Sequence, residues 1–107
     1  MAQFSCVVQE RGIAVGRQAE LEQRLTAHHV DHFPGEETSV NWTVVPHGYM
    51  FTEGRTSTSS IISCSVTGTT TRDFRETYMR GVCDLWSEIT GCTDHEIVVS
   101  MNESATG

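Results

Sequence analysis

The stretch SIISCSVTGTTTRDFRETYMRGVCDLWSEITGCTDHEIVVSM, Ser60–Met101, decides the fold. Ser60–Val66 is a short apolar run of strand length. Thr67–Thr71 reads as a turn, with Thr70 placed to cap a helix. From Arg72 to Thr90, Phe74, Tyr78, Val82, Leu85 and Ile89 recur at helical spacing, and Gly91 closes the segment. Glu96–Met101 is a strand again. Strand, helix, strand is a β-α-β unit, whose right-handed crossover makes the two strands parallel.

The same unit stands upstream. Phe4–Val8 reads as a strand, and Gly12 and Gly16 bracket a loop. Arg17–His32 reads as a helix with Leu21, Leu25, His28 and His32 on its inward stripe, stopped by Pro34-Gly35. Val40–Val45 reads as a second strand, and His47–Ser57 as a loop or irregular hairpin. A constant offset of 57 relates the halves: Phe4 to Ile61, Leu21 to Tyr78, Leu25 to Val82, Val40 to Ile97, Trp42 to Val99 and Val44 to Met101. The expected architecture is α/β, two β-α-β repeats forming a four-stranded sheet with both helices on one face. It forms a single domain, 1–107, with halves at about 2–46 and 59–102. The opposite sheet face is left uncovered, and the second and fourth strands are expected to carry apolar residues there. Self-association is the simplest cover.

Composition narrows the function. The 107 residues carry a formal net charge of −7, which repels phosphate backbones and argues against nucleic-acid binding. No apolar run is long enough to span a bilayer. Met1–Gln9 lacks the pattern of a secretory signal, so a cytoplasmic protein is expected. Cys6, Cys64, Cys83 and Cys92 form no C-x-x-C pair, and reduced thiols are expected, with Cys6 and Cys64 serving as small hydrophobes in strands. His28 and His32 have i, i+4 spacing, but no further ligand stands at suitable spacing, so no metal and no cofactor are expected.

The ordered set Leu25-Thr-Ala-His-His29, Val40-Asn-Trp-Thr-Val-Val-Pro46, Gly54-Arg55 and Glu96-Ile-Val-Val-Ser-Met-Asn-Glu103 resembles the tautomerase superfamily over about residues 2–103. Small members of that superfamily include 4-oxalocrotonate tautomerase, malonate semialdehyde decarboxylase and cis-3-chloroacrylic acid dehalogenase. The resemblance implies trimers of the double repeat, with sites between subunits. It also implies a helix histidine, which falls on His29. The superfamily's N-terminal proline is replaced by Ala2. The dehalogenase-type arginine pair becomes Thr67 and Thr70, and its last-strand tyrosine becomes Ser100. The dehalogenase reaction is therefore not expected.

The residues that remain define the candidate site. Ala2 would present a primary amine if Met1 is removed, able to act as a base or to form a Schiff base. His29 sits at the edge of the first helix's stripe, at the place equivalent to Trp86, where an imidazole can exchange protons near neutral pH. Arg11 and Arg55 are candidate carboxylate anchors, each with the alternative of a solvated or subunit-bridging arginine, and Arg72, closest to the lost arginine pair, could partly replace it. The functional expectation is a divergent isomerase or lyase acting on a small keto/enol or unsaturated acid by cofactor-free proton transfer. Its partner would be a small carbonyl or carboxylate substrate, and its assembly a homotrimer, with a hetero-oligomer as the alternative. The competing expectation is a non-catalytic partner subunit or binding protein on the same scaffold.

Overall fold

A computed structural model describes residues 2–104. The first strand, β1 (Ala2–Gln9), alternates strictly over most of its length, with Ala2, Phe4, Cys6 and Val8 buried and Gln3 and Ser5 exposed. Its inward side chains are apolar, so one face of the strand is committed to a core. β2 (Thr38–Val45) lies parallel to it, Phe4 beside Val40 and Cys6 beside Trp42. β5 (Ser60–Thr67) pairs with β1 antiparallel, Phe4 opposite Cys64, and β6 (Ile97–Ser104) lies parallel to β5. The sheet order is β2-β1-β5-β6. Each parallel pair needs a long crossover, and α1 (Gln18–His32) and α2 (Arg72–Thr90) supply them. Both helices lie on one face. Phe4 meets His29 of α1 with ring centroids 6.1 Å apart, while its register partner Cys64 lies 3.4 Å from the Tyr78 hydroxyl of α2. The expected loop at 47–57 contains a small hairpin, β3 (Phe51–Thr52) and β4 (Arg55–Thr56). Part of the tail expected to fray, 102–104, is the end of β6, and the rest lies outside the described residues.

The repeat is real but its offset is not constant. In the helices 57 holds: Leu21, Leu25 and His29 match Tyr78, Val82 and Trp86, and all six are fully buried. In β1 and β5 the buried sets are Ala2, Phe4, Cys6, Val8 and Ser60, Ile62, Cys64, Val66, so Phe4 corresponds to Ile62, not Ile61. The strand-to-helix connection of the second half is one residue shorter. With a side-chain period of two, that single residue decides which face Ile61 and Ile62 occupy. Beside Phe4 and Ile62 stand Val40 and Val99, so the expected pairs Val40–Ile97 and Trp42–Val99 are displaced by two positions, which preserves the face.

The cap of α2 is Thr71 rather than Thr70: its hydroxyl accepts from the Phe74 N–H at 3.1 Å. Thr70 is drawn outward. Its hydroxyl donates to Glu103 Oε2 at 2.8 Å, and its carbonyl accepts from Arg75 Nη1 at 2.7 Å. At the other end Gly91, with φ 76°, makes the left-handed turn that ends the helix.

The uncovered face is also more polar than expected. Asn41, Ser5, Ser63 and Ser100 form one row across the four strands, and the Ser100 hydroxyl bonds that of Ser63 at 3.2 Å. The next row holds Thr43, Val7, Ile61 and Val98, of which Val98 is 52% exposed. Among the described residues Val7, Ile61 and Val98 of this row form a contiguous apolar strip, and hydroxyl side chains occupy most of the remaining outward positions. Among the described residues no helix is long and apolar enough to cross a membrane.

The helices approach closely at Gly81. A Cβ there would stand 2.3 Å from His28 Cε1. The ring cannot swing aside cheaply, since its Nε2 donates to the Tyr78 carbonyl at 2.9 Å and it packs on His32 at 4.4 Å. Gly81→Ala gains helix propensity but must displace that ring; the overpacking cost of about 1–3 kcal/mol outweighs the ~1 kcal/mol gain. Urea denaturation is expected to show a lowered midpoint with an unchanged slope.

Candidate functional site

The last turn of α1 and the start of β1 come together because the helix runs antiparallel to the strand it covers. At that end sits His29. Its side chain is fully buried, not at the edge of the stripe as expected from the sequence. Leu21, Leu25 and His29 follow a strict four-residue spacing that keeps all three on the sheet, while His28 and His32 turn toward α2. Phe33 stacks on the imidazole with centroids 4.7 Å apart. Nδ1 lies 2.7 Å from the Tyr78 hydroxyl, which is itself 3.4 Å from Cys64 Sγ. On its other side Nε2 faces Glu36 Oε2 at 3.6 Å, just beyond hydrogen-bond length. Glu36 belongs to the turn joining α1 to β2, and its side chain is 19% exposed.

Burial sets the protonation of this group. It holds the His29 imidazole below its ordinary value, opposed by the attraction of Glu36, and it lowers His28 in the same way. Burial raises the Tyr78 phenol and the Cys64 thiol, so both keep their protons. Cys6 is pushed up to about 12, chiefly by burial. All four cysteines are free. His28 and His32 are hydrogen-bonded packing residues: His28 Nε2 donates to the Tyr78 carbonyl, and His32 Nδ1 donates to the His28 carbonyl, each at 2.9 Å. Among the described residues no group of three or more histidine, cysteine or acidic side chains is arranged to hold a metal.

The other candidate residues divide between the two ends of the sheet. Ala2 shares the His29 end; it is fully buried, and its N–H donates to the Glu37 carbonyl at 2.9 Å. Arg72 also lies toward this end, exposed at the start of α2, with Nε bonded to Glu76 Oε1 at 3.0 Å. Arg11 follows the far end of β1. It borders a cavity of about 360 Å³ lined also by Gln9, Ile13, His47, Cys92 and Glu96. Arg55, on β4, borders an adjoining cavity that shares Thr56, Ser57, Thr58 and Glu96. Eight strand residues separate the ends, roughly 25 Å. One chain therefore brings Ala2 and His29 together but not His29 with Arg11 or Arg55.

Glu36, Tyr78 and Cys64 were not anticipated from the sequence. Tyr78 left a trace, since it replaces Leu21 in the repeat and adds a hydroxyl at a core position. Glu36 left none, because Gly35-Glu36-Glu37 reads as an ordinary polar turn. The repeat also places Trp86 where His29 stands, so only one half of the chain carries an imidazole here.

No family model and no curated protein matches the sequence. Solved structures do match. Native Ps01740 shares 19% identity at a TM-score of 0.86, covering 95% of this chain and 93% of that one. N1, a member of the cis-3-chloroacrylic acid dehalogenase family, shares 16% at 0.84, covering 95% and 74%. A fused 4-OT in the form of a symmetric trimer shares 8% at 0.83, covering 95% and 85%. The chain has the tautomerase-superfamily fold, as its repeat and the ordered motifs had implied.

The lowered histidines tie stability to pH. An imidazole depressed in the folded state binds its proton more readily when unfolded, so stability is full above the unfolded value of about 6.5 and falls as pH drops through and below it. The groups around His29 that enter this balance are His28, His32, Glu36, Tyr78 and Cys64. Urea midpoints are expected to decline from about pH 7 to about pH 5, and His29→Leu is expected to flatten that decline.

Proposed function

We propose that this chain is a divergent tautomerase-type isomerase or lyase that moves a proton on a small keto/enol or unsaturated acid without a cofactor. The observation that carries the reading is the buried imidazole of His29, set between the Tyr78 hydroxyl and the Glu36 side chain at the N-terminal end of β1. An imidazole lowered by burial is neutral near pH 7, with one nitrogen to donate and one to accept, so it can order the proton-bearing groups on either side of it. The substrate carboxylate is held by Arg11 and Arg55, and a neighbouring copy must supply them, because within one chain they lie at the opposite end of the sheet. The full-length edges of β2 and β6 and the strip formed by Val7, Ile61 and Val98 support assembly. The assembly is a homotrimer, each copy one unit spanning residues 1–107, and its setting is the cytoplasm. Ala2 adds a primary amine where Met1 has been removed.

A second reading has its own observation. Ala2 is fully buried and its nitrogen is committed to the Glu37 carbonyl. A position closed in this way suits a non-catalytic partner subunit or binding protein that lends walls to a hetero-oligomer.

Light scattering at micromolar concentration is expected to give the trimer mass; a monomer sinks the shared site. A thermal-shift screen of keto and unsaturated acids is expected to raise Tm for at least one, and that acid is expected to turn over. His29→Ala is then expected to reduce turnover by about 10²–10⁴-fold with the oligomer retained. A variant that melts lower yet keeps full activity per folded molecule ends the part of His29 in turnover and leaves the second reading. Intact mass showing Met1 in place removes Ala2 from the mechanism.

A further inference from the structure

His29 cannot itself meet a ligand in the folded chain. Its side chain has no exposed surface, and Phe33 covers one face of the ring. The neighbour that reaches the surface is Glu36, whose side chain is 19% exposed and whose Oε2 is 3.6 Å from Nε2. On the other side the contacts run inward, from Nδ1 to the Tyr78 hydroxyl at 2.7 Å and from that hydroxyl to Cys64 Sγ at 3.4 Å.

The direction of the protons along this row derives from the donor inventory. An ionised carboxylate only accepts, so the nitrogen facing Glu36 must carry the hydrogen. A neutral imidazole with its hydrogen on Nε2 has Nδ1 as acceptor, so the Tyr78 hydroxyl donates to Nδ1. The phenol oxygen is then free to accept from the Cys64 thiol, which burial keeps protonated. The opposite order would set the Nε2 lone pair against a carboxylate oxygen inside the protein, an arrangement with no compensating bond.

We propose that Glu36 is the group that exchanges a proton with the ligand, and that Tyr78 is the positioning residue that keeps the His29 hydrogen on Nε2, aimed at Glu36. This deepens the isomerase reading and rests on it. For an enol acid the balance is closed. The enol O–H bond breaks and its electron pair becomes part of the C=O bond, while the C=C pair takes a proton at carbon. Glu36 carries the proton between the two atoms and ends as it began. The imidazole N–H faces the carboxylate at 3.6 Å, favours its charged form electrostatically and stays neutral throughout. The ligand class is a small acid bearing an enol, or a carbon acid beside a carbonyl.

The test uses the full chain labelled with ¹⁵N. Long-range proton–nitrogen spectra are expected to show His29 in the Nε2–H form, and Tyr78→Phe, which keeps the ring and removes only the hydroxyl, is expected to mix the two tautomers. With the acid returned by the thermal-shift screen, Tyr78→Phe is expected to lower kcat about tenfold or more with KM little changed, and Glu36→Gln to lower kcat by about 10²-fold or more. An Nδ1–H form in the unaltered protein overturns the proposal whatever the activity. So does full kcat in Glu36→Gln. A protein in the Nε2–H form that turns over none of the acids sinks the isomerase reading and the role of Glu36 with it.

Discussion

The hydrogen bond from the Tyr78 hydroxyl to His29 Nδ1, 2.7 Å long and fully enclosed, joins the two halves of the chain over the seam between β1 and β5. A buried imidazole costs free energy unless its nitrogens are provided for; here Nδ1 has the Tyr78 hydroxyl, and Nε2 has only the nearby charge of Glu36 at 3.6 Å. Much of the helix layer is arranged to meet that demand. Phe4, Phe33 and Tyr78 wall the ring. Gly81 lets α2 come close enough for His28 to reach a backbone carbonyl of the same residue whose side chain serves His29. Cys64, a core filler by its burial, also stands where it can complete the row from below.

The same arrangement separates the electrostatics of the molecule. The chain is acidic, and several of its few cations are tied locally: Arg17 to Glu20, Arg24 to Glu88, Arg72 to Glu76 and Arg75 to Glu103. Exposed pairs of this kind add little stability, but they neutralise charge where it stands. Arg11 and Arg55 border cavities at the sheet end away from His29. A strand of eight residues is stiff and extended, so this separation is a property of the fold and not of a loop conformation.

The two halves have also diverged in what their shared core positions do. Leu21 and Tyr78 occupy equivalent places, as do His29 and Trp86. In the first half the end of the helix is polar and reaches its neighbour; in the second, Trp86 fills the equivalent volume and stacks near Trp42, whose indole N–H bonds Glu22 at 2.6 Å. The fold thus keeps two copies of one packing solution and places an imidazole in only one of them, while the hydroxyl and thiol beside it come from the other half.

Element types, their order and the double β-α-β plan were legible in the sequence, because periods of two and near 3.6 are local properties of a chain. So were the span of α2, Arg72–Thr90, and the likeness of fold to the solved structures. Three things were decided only by the tertiary structure. The shift of Phe4's counterpart from Ile61 to Ile62 depends on the length of a connection, which alters strand register without altering either strand's own pattern. The inward place of His29 depends on which side of α1 the second helix occupies, since a stripe containing Leu21 and Leu25 can be continued through residue 28 or residue 29. The grouping of Glu36, Tyr78 and Cys64 around that imidazole joins residues far apart in the chain, and only the folded chain, through β-strand pairing and helix packing, brings such residues within hydrogen-bonding distance.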